Sequence, residues 1–320
     1  WKLKANNSAP RDGDATVAGP SPARRAGRCS RPAFSLLLSA LLLLSACTNV
    51  MLSGATVIEN GEAPRVEVAY GPGPRNRADV YRPRASAANG APAPVVVFIP
   101  GGSWESGTKG LYRWMGQGLA AQGYIAVLPN YGLMPATGFP DFVRDAAAAV
   151  AYARAHAADW GGDTTRFFLM GHSAGAQIAA LLAYDGTYLA REGRSPRDLA
   201  GFIGLSGPYD FVLDSKLLQR TFGGTPEREA ASQPVRFVTA DAPRTLLVMG
   251  RDDRTVRPRN TERLAARLRA VGAPVEELWV PGDHGVTVGA FARPYRGDSE
   301  IVRAVEQFIR GADRGTPPPP

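Results

Sequence analysis

What most constrains this chain is an alternation. Between residues 95 and 310, short and mostly apolar runs take turns with longer segments of helical periodicity. The apolar runs cover 95–99, 124–128, 166–170, 201–205, 244–249 and 275–280. The helical segments cover 111–122, 142–157, 174–183, 260–271 and 300–310. A run of five or six apolar residues is too short for a buried helix and reads as a strand with both faces covered. Strands of that kind, each followed by a helix, predict an α/β fold: a mostly parallel sheet flanked by helices on both faces. Two further strands, 65–69 and 78–81, precede the alternation across the turn-rich Gly71-Pro72-Gly73-Pro74, and residues 85–94 read as a small-residue, Pro-rich loop. The stretch 184–240 breaks the rhythm and leaves room for a small cap. The expected organisation is a leader and signal segment over 1–47, a linker over 48–64, one domain over 65–311 and a disordered Pro-rich tail over 312–320.

The motif with chemical content is Gly171-His172-Ser173-Ala174-Gly175. It closes the strand 166–170 and opens the helix 174–183, the setting in which G-x-S-x-G forms a nucleophile elbow. The glycines let strand and helix cross closely, and the helix N-terminus offers amides to a developing oxyanion. Ser173 needs a base, and the chain holds three histidines, His156, His172 and His284. His172 adjoins the serine and would point elsewhere, and His156 sits near the end of a helix. His284 remains, in Pro281-Gly282-Asp283-His284-Gly285, directly after the last strand and thus among the loops where such sites assemble. The orienting acid should lie between serine and histidine in chain order. In Gly250-Arg251-Asp252-Asp253-Arg254-Thr255-Val256, G-x-x-D-x-x-V spacing selects Asp253 and leaves Asp252 as a turn residue. Asp283, beside His284 in sequence, is poorly placed to bond its ring. Pro100-Gly101-Gly102-Ser103-Trp104 follows the strand 95–99. Its glycines free backbone amides to converge on one oxygen, so Gly102, Ser103 and Ala174 are the expected oxyanion hole.

Composition excludes more than it selects. The formal charge of +8 invites an acidic partner, yet the first 46 residues hold seven Lys/Arg against two acids, a net of +5, which leaves +3 for the rest. No basic stripe interleaved with aromatics is present, so no nucleic-acid partner is expected. The two cysteines, Cys29 and Cys47, both lie near the N-terminus, which leaves no disulfide framework or thiolate metal site in the domain. Three histidines do not build a zinc site there either, so no metal and no cofactor is expected.

Ahead of the domain, residues 33–46 form an apolar run of about 14 residues, short of the roughly 20 that span a bilayer. Preceded by Arg24, Arg25, Arg28 and Arg31, it fits the core of a secretory signal. It ends in Leu44-Ser45-Ala46-Cys47, which resembles a bacterial lipobox, with Cys47 the lipid-bearing residue. Firm anchoring through acyl chains would place the domain in the cell envelope, on the periplasmic side. By resemblance to enterobacterial sorting, Thr48 after the cysteine points to the outer membrane. The other reading is an ordinary signal and a secreted product. Since the chain starts at Trp1 and its first methionine is Met51, the polar leader is expected to be an upstream extension.

Taken together, these motifs resemble the bacterial esterase/lipase branch of the α/β-hydrolases, related to hormone-sensitive lipase and to feruloyl-esterase-like carboxylesterases. The likeness runs from about Tyr70 to Arg310. It includes Tyr70-Gly71-Pro72, Asp79-Val80-Tyr81-Arg82-Pro83, Gly101-Gly102-Ser103-Trp104, Asn130-Tyr131-Gly132-Leu133-Met134-Pro135, Trp160-Gly161-Gly162-Asp163 and Leu205-Ser206-Gly207-Pro208-Tyr209-Asp210. Two departures stand out. The histidine that usually precedes the Gly-Gly pair is Pro100, and the Arg and Glu of the family's Tyr-Arg-Leu-x-Pro-Glu are Gly132 and Ala136. The resemblance implies the α/β-hydrolase fold, a Ser-Asp-His triad, an acyl-enzyme and small-molecule carboxylic esters as substrates. Trp104, Tyr131 and Phe139 become candidates for the substrate pocket. An amidase of the arylformamidase type, a lipase and a silent, membrane-tethered binding protein are the alternatives.

Overall fold

A computed structural model describes residues 63–84 and 90–311. The signal segment, Cys47, the linker up to residue 62, the loop 85–89 and the tail 312–320 lie outside the described residues.

Eight strands form one sheet in the order β1-β2-β4-β3-β5-β6-β7-β8. β1 (Arg65–Ala69) pairs antiparallel with β2 (Arg77–Tyr81), and β2 pairs antiparallel with β4 (Ile125–Pro129). From there every pairing is parallel: β4 with β3 (Ala93–Ile99), β3 with β5 (Gly162–His172), then β6 (Gly201–Leu205), β7 (Thr245–Gly250) and β8 (Val275–Val280). The chain thus belongs to the α/β-hydrolase fold class that the alternation and the elbow predict.

The central strands are apolar on both sides because two cores exist. In β3, Val95, Val97 and Ile99 face one core and Val96 and Phe98 the other. In β5 the same division separates Phe167 and Leu169 from Phe168 and Met170. The first core is closed by α2 (Asp141–His156), α3 (Ala174–Tyr184) and α7 (Arg259–Ala270), and the second by α1 (Arg113–Ala121) and α10 (Glu300–Gly311). α7 and α10 each bury one apolar stripe, as the 3.6 period requires, whereas α3 is buried all round.

Several elements differ from expectation. β5 begins at Gly162, ahead of its apolar run, because Ala93 and Pro94 pair with Gly162 and Asp163 before the register jumps to Val95 opposite Phe167. The polar residues between are absorbed as a bulge: Asp163 accepts from the Thr165 amide at 2.8 Å and from Arg166 Nε at 2.8 Å. In the stretch 184–240, α4 (Gly186–Ala190) precedes β6, and α5 (Lys216–Phe222) and α6 (Pro226–Ala231) lie between β6 and β7. Phe222 of α5 is buried edge-on against Trp104 at 4.8 Å and Phe139 at 5.3 Å, which pins α5 beside the loop that follows β3. After β8 come two short helices, α8 (Val286–Gly289) and α9 (Arg293–Arg296), that no periodic pattern announces. No helix among the described residues is long and apolar enough to cross a membrane.

Candidate active site

Ser173 is the single residue between the end of β5 and the start of α3, and it turns the chain at φ 54°, ψ −125°. Non-glycine residues seldom adopt such a backbone, and it holds only where the surroundings enforce it. Here the Ser173 N–H donates to Leu205 O at 3.0 Å, and its carbonyl accepts from Ala176 and Gln177 at 2.9 and 3.2 Å. The crossing is close: a Cβ on Gly175 would stand 2.1 Å from Ile99 O, and one on Gly171 2.4 Å from Gly175 O. No side chain fits at either position.

β7 and β8 are neighbours, so the loops that follow them meet. His284 Nδ1 lies 2.7 Å from Asp253 Oδ2. The other carboxylate oxygen accepts from the Thr255 and Val256 amides at 2.9 and 2.8 Å, which locks Asp253 in place. Its side chain is wholly buried and that of His284 partly so. Asp252 instead accepts from the Gly282 amide at 3.1 Å, and Asp283 from Gly285 at 3.0 Å; both shape loops. No hydrogen bond joins Ser173 to His284 among the described residues, and such contacts are commonly long before substrate binds. His156 is exposed and meets Asp159 at 3.0 Å.

His172 has a position that sequence reading missed. It is buried, with Nε2 3.2 Å from His284 O and Nδ1 3.0 Å from the Tyr112 hydroxyl. A carbonyl only accepts, so Nε2 carries the proton and the Tyr112 O–H donates to Nδ1. Burial, with His284 close by, lowers the His172 pKa to about 3. The Tyr112 oxygen in turn accepts from the Gly101 amide. A single chain of hydrogen bonds therefore ties the Gly101 loop to the backbone of His284.

That loop runs through three consecutive residues of positive φ, Gly102 (134°), Ser103 (53°) and Trp104 (59°). At Gly102 a Cβ would meet Ser106 O at 2.2 Å, so glycine is obligatory. Where the family's usual histidine is replaced by Pro100, the Tyr131 hydroxyl donates to Pro100 O at 2.9 Å. Tyr131 is thus a buried brace beneath the loop, away from the cavity beside Ser173. Trp104 is buried as well, with Nε1 donating to Gln177 Oε1 at 3.1 Å, but its ring lines that cavity. Phe139 packs inward on Phe142 and Phe222. Among the described residues, the amides of Gly102, Ser103 and Ala174 donate to no protein acceptor.

The cavity that reaches Ser173, Ser103 and Ala174 holds about 320 Å³. A larger hollow of about 1100 Å³ lies on the far side of the His284 loop, walled by Trp114, Val286 and Ala290, and does not reach Ser173. No cluster of three or more potential metal ligands occurs among the described residues.

The family model BD-FAE matches residues 78–268, from β2 into α7. The chain belongs to the BD-FAE family. The BD-FAE match takes in Ser173 and Asp253 and stops short of His284. Among curated relatives, the esterase LipC of Mycobacterium tuberculosis is 32% identical over 243 residues, 69% of this chain and 59% of that protein. A probable isoprenylcysteine alpha-carbonyl methylesterase of Arabidopsis thaliana is 29% identical over 243 residues, 68% of this chain and 50% of that protein. This BD-FAE chain therefore spans only a little over half the length of such relatives. Among solved structures, esterase B from Lactobacillus rhamnosis superposes with a TM-score of 0.71 at 19% identity, over 87% of this chain and 95% of that one, a likeness of fold.

Proposed function

We propose that this chain is a serine hydrolase of carboxylic esters, with Ser173 as nucleophile, His284 as general base and Asp253 as the acid that orients it. The observation that carries the reading is the 2.7 Å contact of His284 Nδ1 with a buried aspartate whose second oxygen is already held by two amides. An aspartate so fixed keeps the proton on Nδ1, which leaves Nε2 free to accept one. Ser173 Oγ attacks the ester carbonyl as His284 takes its proton. The oxyanion is held by the amides of Gly102, Ser103 and Ala174, the last at the positive end of α3. His284 then returns the proton to the leaving alcohol, and water repeats the sequence on the acyl-enzyme. A cavity of about 320 Å³ supports small to medium esters. The BD-FAE membership and the esterase names of the relatives support the same reaction class.

The test is hydrolysis of p-nitrophenyl esters of graded acyl length by the full chain and by Ser173→Ala. The wild type is expected to turn over short and medium esters, and Ser173→Ala to lose about 10⁴-fold or more in kcat. Undiminished activity in Ser173→Ala would sink the assignment. Comparable turnover of matched anilides would make the enzyme an amidase, and a preference for long chains a lipase. The lipobox-like segment supports tethering to the cell envelope through Cys47. Incorporation of labelled palmitate that Cys47→Ala abolishes is the expected sign, and its absence would favour a secreted form.

A further inference from the structure

The cavity beside Ser173 is uneven in charge. Its lining includes the apolar side chains of Trp104, Phe211 and Leu218 and three arginines, Arg254, Arg257 and Arg259, which lie in sequence at and just before the start of α7. Asp214, an exposed residue at the rim, is the one carboxylate that lines it. Among the described residues no carboxylate or carbonyl is paired with any of these three guanidinium groups. Other arginines on the same helix do have partners: Arg263 donates to Asp210 at 2.8 Å and Arg267 to Val238 O at 3.2 Å. Arg259 is half-buried, and its Nε is sealed from solvent with no acceptor. A buried donor left without an acceptor is costly. Arg254 and Arg257, both exposed, line the same cavity just ahead of the positive end of the helix, where further positive charge is unfavourable. The arrangement becomes favourable once an anion lies among the three arginines.

From this we propose that the esters hydrolysed at Ser173 carry a second, anionic group, a free carboxylate in the simplest case, which binds Arg259 with Arg254 and Arg257 beside it. The inference rests on the hydrolase reading above and adds the charge of the substrate to it. Arginine suits the role, since its planar fork meets a carboxylate with two parallel hydrogen bonds and stays charged at every working pH.

Two matched pairs of esters test it on the full chain. Mono-p-nitrophenyl adipate against p-nitrophenyl hexanoate places the carboxylate on the acyl side. 4-(Butyryloxy)benzoate against its methyl ester places it on the alcohol side. Within a pair, the ratio of kcat/KM for the anionic over the neutral ester, compared between wild type and variant, cancels intrinsic reactivity. The expected result is a ratio above one in one of the pairs. Arg259→Gln should lower that ratio about tenfold, the loss typical of a charge-assisted hydrogen bond. Raising ionic strength should lower it too. If Arg259→Gln does not fold, judged by its thermal melt, the double variant Arg254→Gln/Arg257→Gln carries the test, since both side chains are exposed. A wild type that favours the neutral ester in both pairs overturns the proposal, as does a ratio unmoved by the substitutions. Inertness toward all four esters is a different result: it defeats the hydrolase reading first, and this proposal with it.

Discussion

Two histidines stand with ring centroids 4.8 Å apart and do opposite things. His284 is braced on one nitrogen by Asp253 and keeps the other free, while His172 has both nitrogens engaged and stays neutral. In the unfolded chain His172 would take a proton below about pH 6.5, whereas in the fold it resists to about pH 3. Between those limits the unfolded state binds one more proton, so stability falls as the pH drops, by about 1.4 kcal/mol per pH unit from this residue. Urea unfolding at pH 7 and pH 5 should show wild type losing about 2 kcal/mol more than His172→Gln across that interval. Equal losses would mean that His172 is not held neutral. Tyr112→Phe removes the hydroxyl between Gly101 and His172 and orphans both. It should cost about 2 kcal/mol in urea unfolding, and kcat should fall more than KM changes, because the loop and His284 lose a shared anchor. A variant with full stability and unchanged kcat would leave the hydroxyl without a role. The proposed triad of Ser173, Asp253 and His284 could be picked out along the chain because such chemistry dictates chain order and distance from strand ends, and the fold brings Asp253 and His284 to 2.7 Å. Tyr112 could not, since nothing about a tyrosine before a helix says which loop its hydroxyl will reach.

Among elements, the tightest constraint is the crossing of β5, α3 and the end of β3. Gly175 sits where any Cβ would lie 2.1 Å from Ile99 O and 2.5 Å from Pro100 O, backbone atoms with no side-chain freedom to yield. Gly175→Ala is expected to cost at least about 3 kcal/mol, more than a surface helix would gain from alanine. The measurement is the midpoint of thermal unfolding together with soluble yield, and a variant as stable as wild type would contradict this packing. The central strands and the long helices were readable because apolar runs and 3.6-residue stripes follow from burial on two faces and on one. The early start of β5 was hidden by Asp163, Thr164 and Thr165, polar residues that a bulge accommodates. The helices α8 and α9 are four residues each, too short to display a period. Tyr131 reads as a pocket residue from its motif alone, but its hydroxyl bonds Pro100 O, a contact that depends on how β4 and β3 lie side by side.

On the scale of the whole molecule, the antiparallel corner is fastened to the parallel sheet by charge. Lys109, eleven per cent exposed, meets Asp79 of β2 at 2.7 Å and Glu67 of β1 at 2.6 Å, and Arg65 adds a contact to Asp79 at 2.9 Å. The Lys109 amide also donates to Asn130 Oδ1 at 2.8 Å, just after β4. Removing the lysine would leave Asp79 buried with one partner lost. Lys109→Met should therefore destabilise by about 3 kcal/mol in urea, and Asp79→Asn/Lys109→Met by less than the two single changes added. Additive losses would show that the pair is not coupled. The sheet order carries one more consequence, which concerns time. Ser173 follows β5, Asp253 follows β7 and His284 follows β8, the strand at the edge and the last to be made. A ribosome adding roughly 5–20 residues per second needs several seconds to pass from the elbow to the final strand. Through that interval the serine has been synthesised and its proposed base has not. On the proposed triad, a nascent chain of this kind carries no working nucleophile, and the capacity to react arrives only as the last edge of the sheet is laid down.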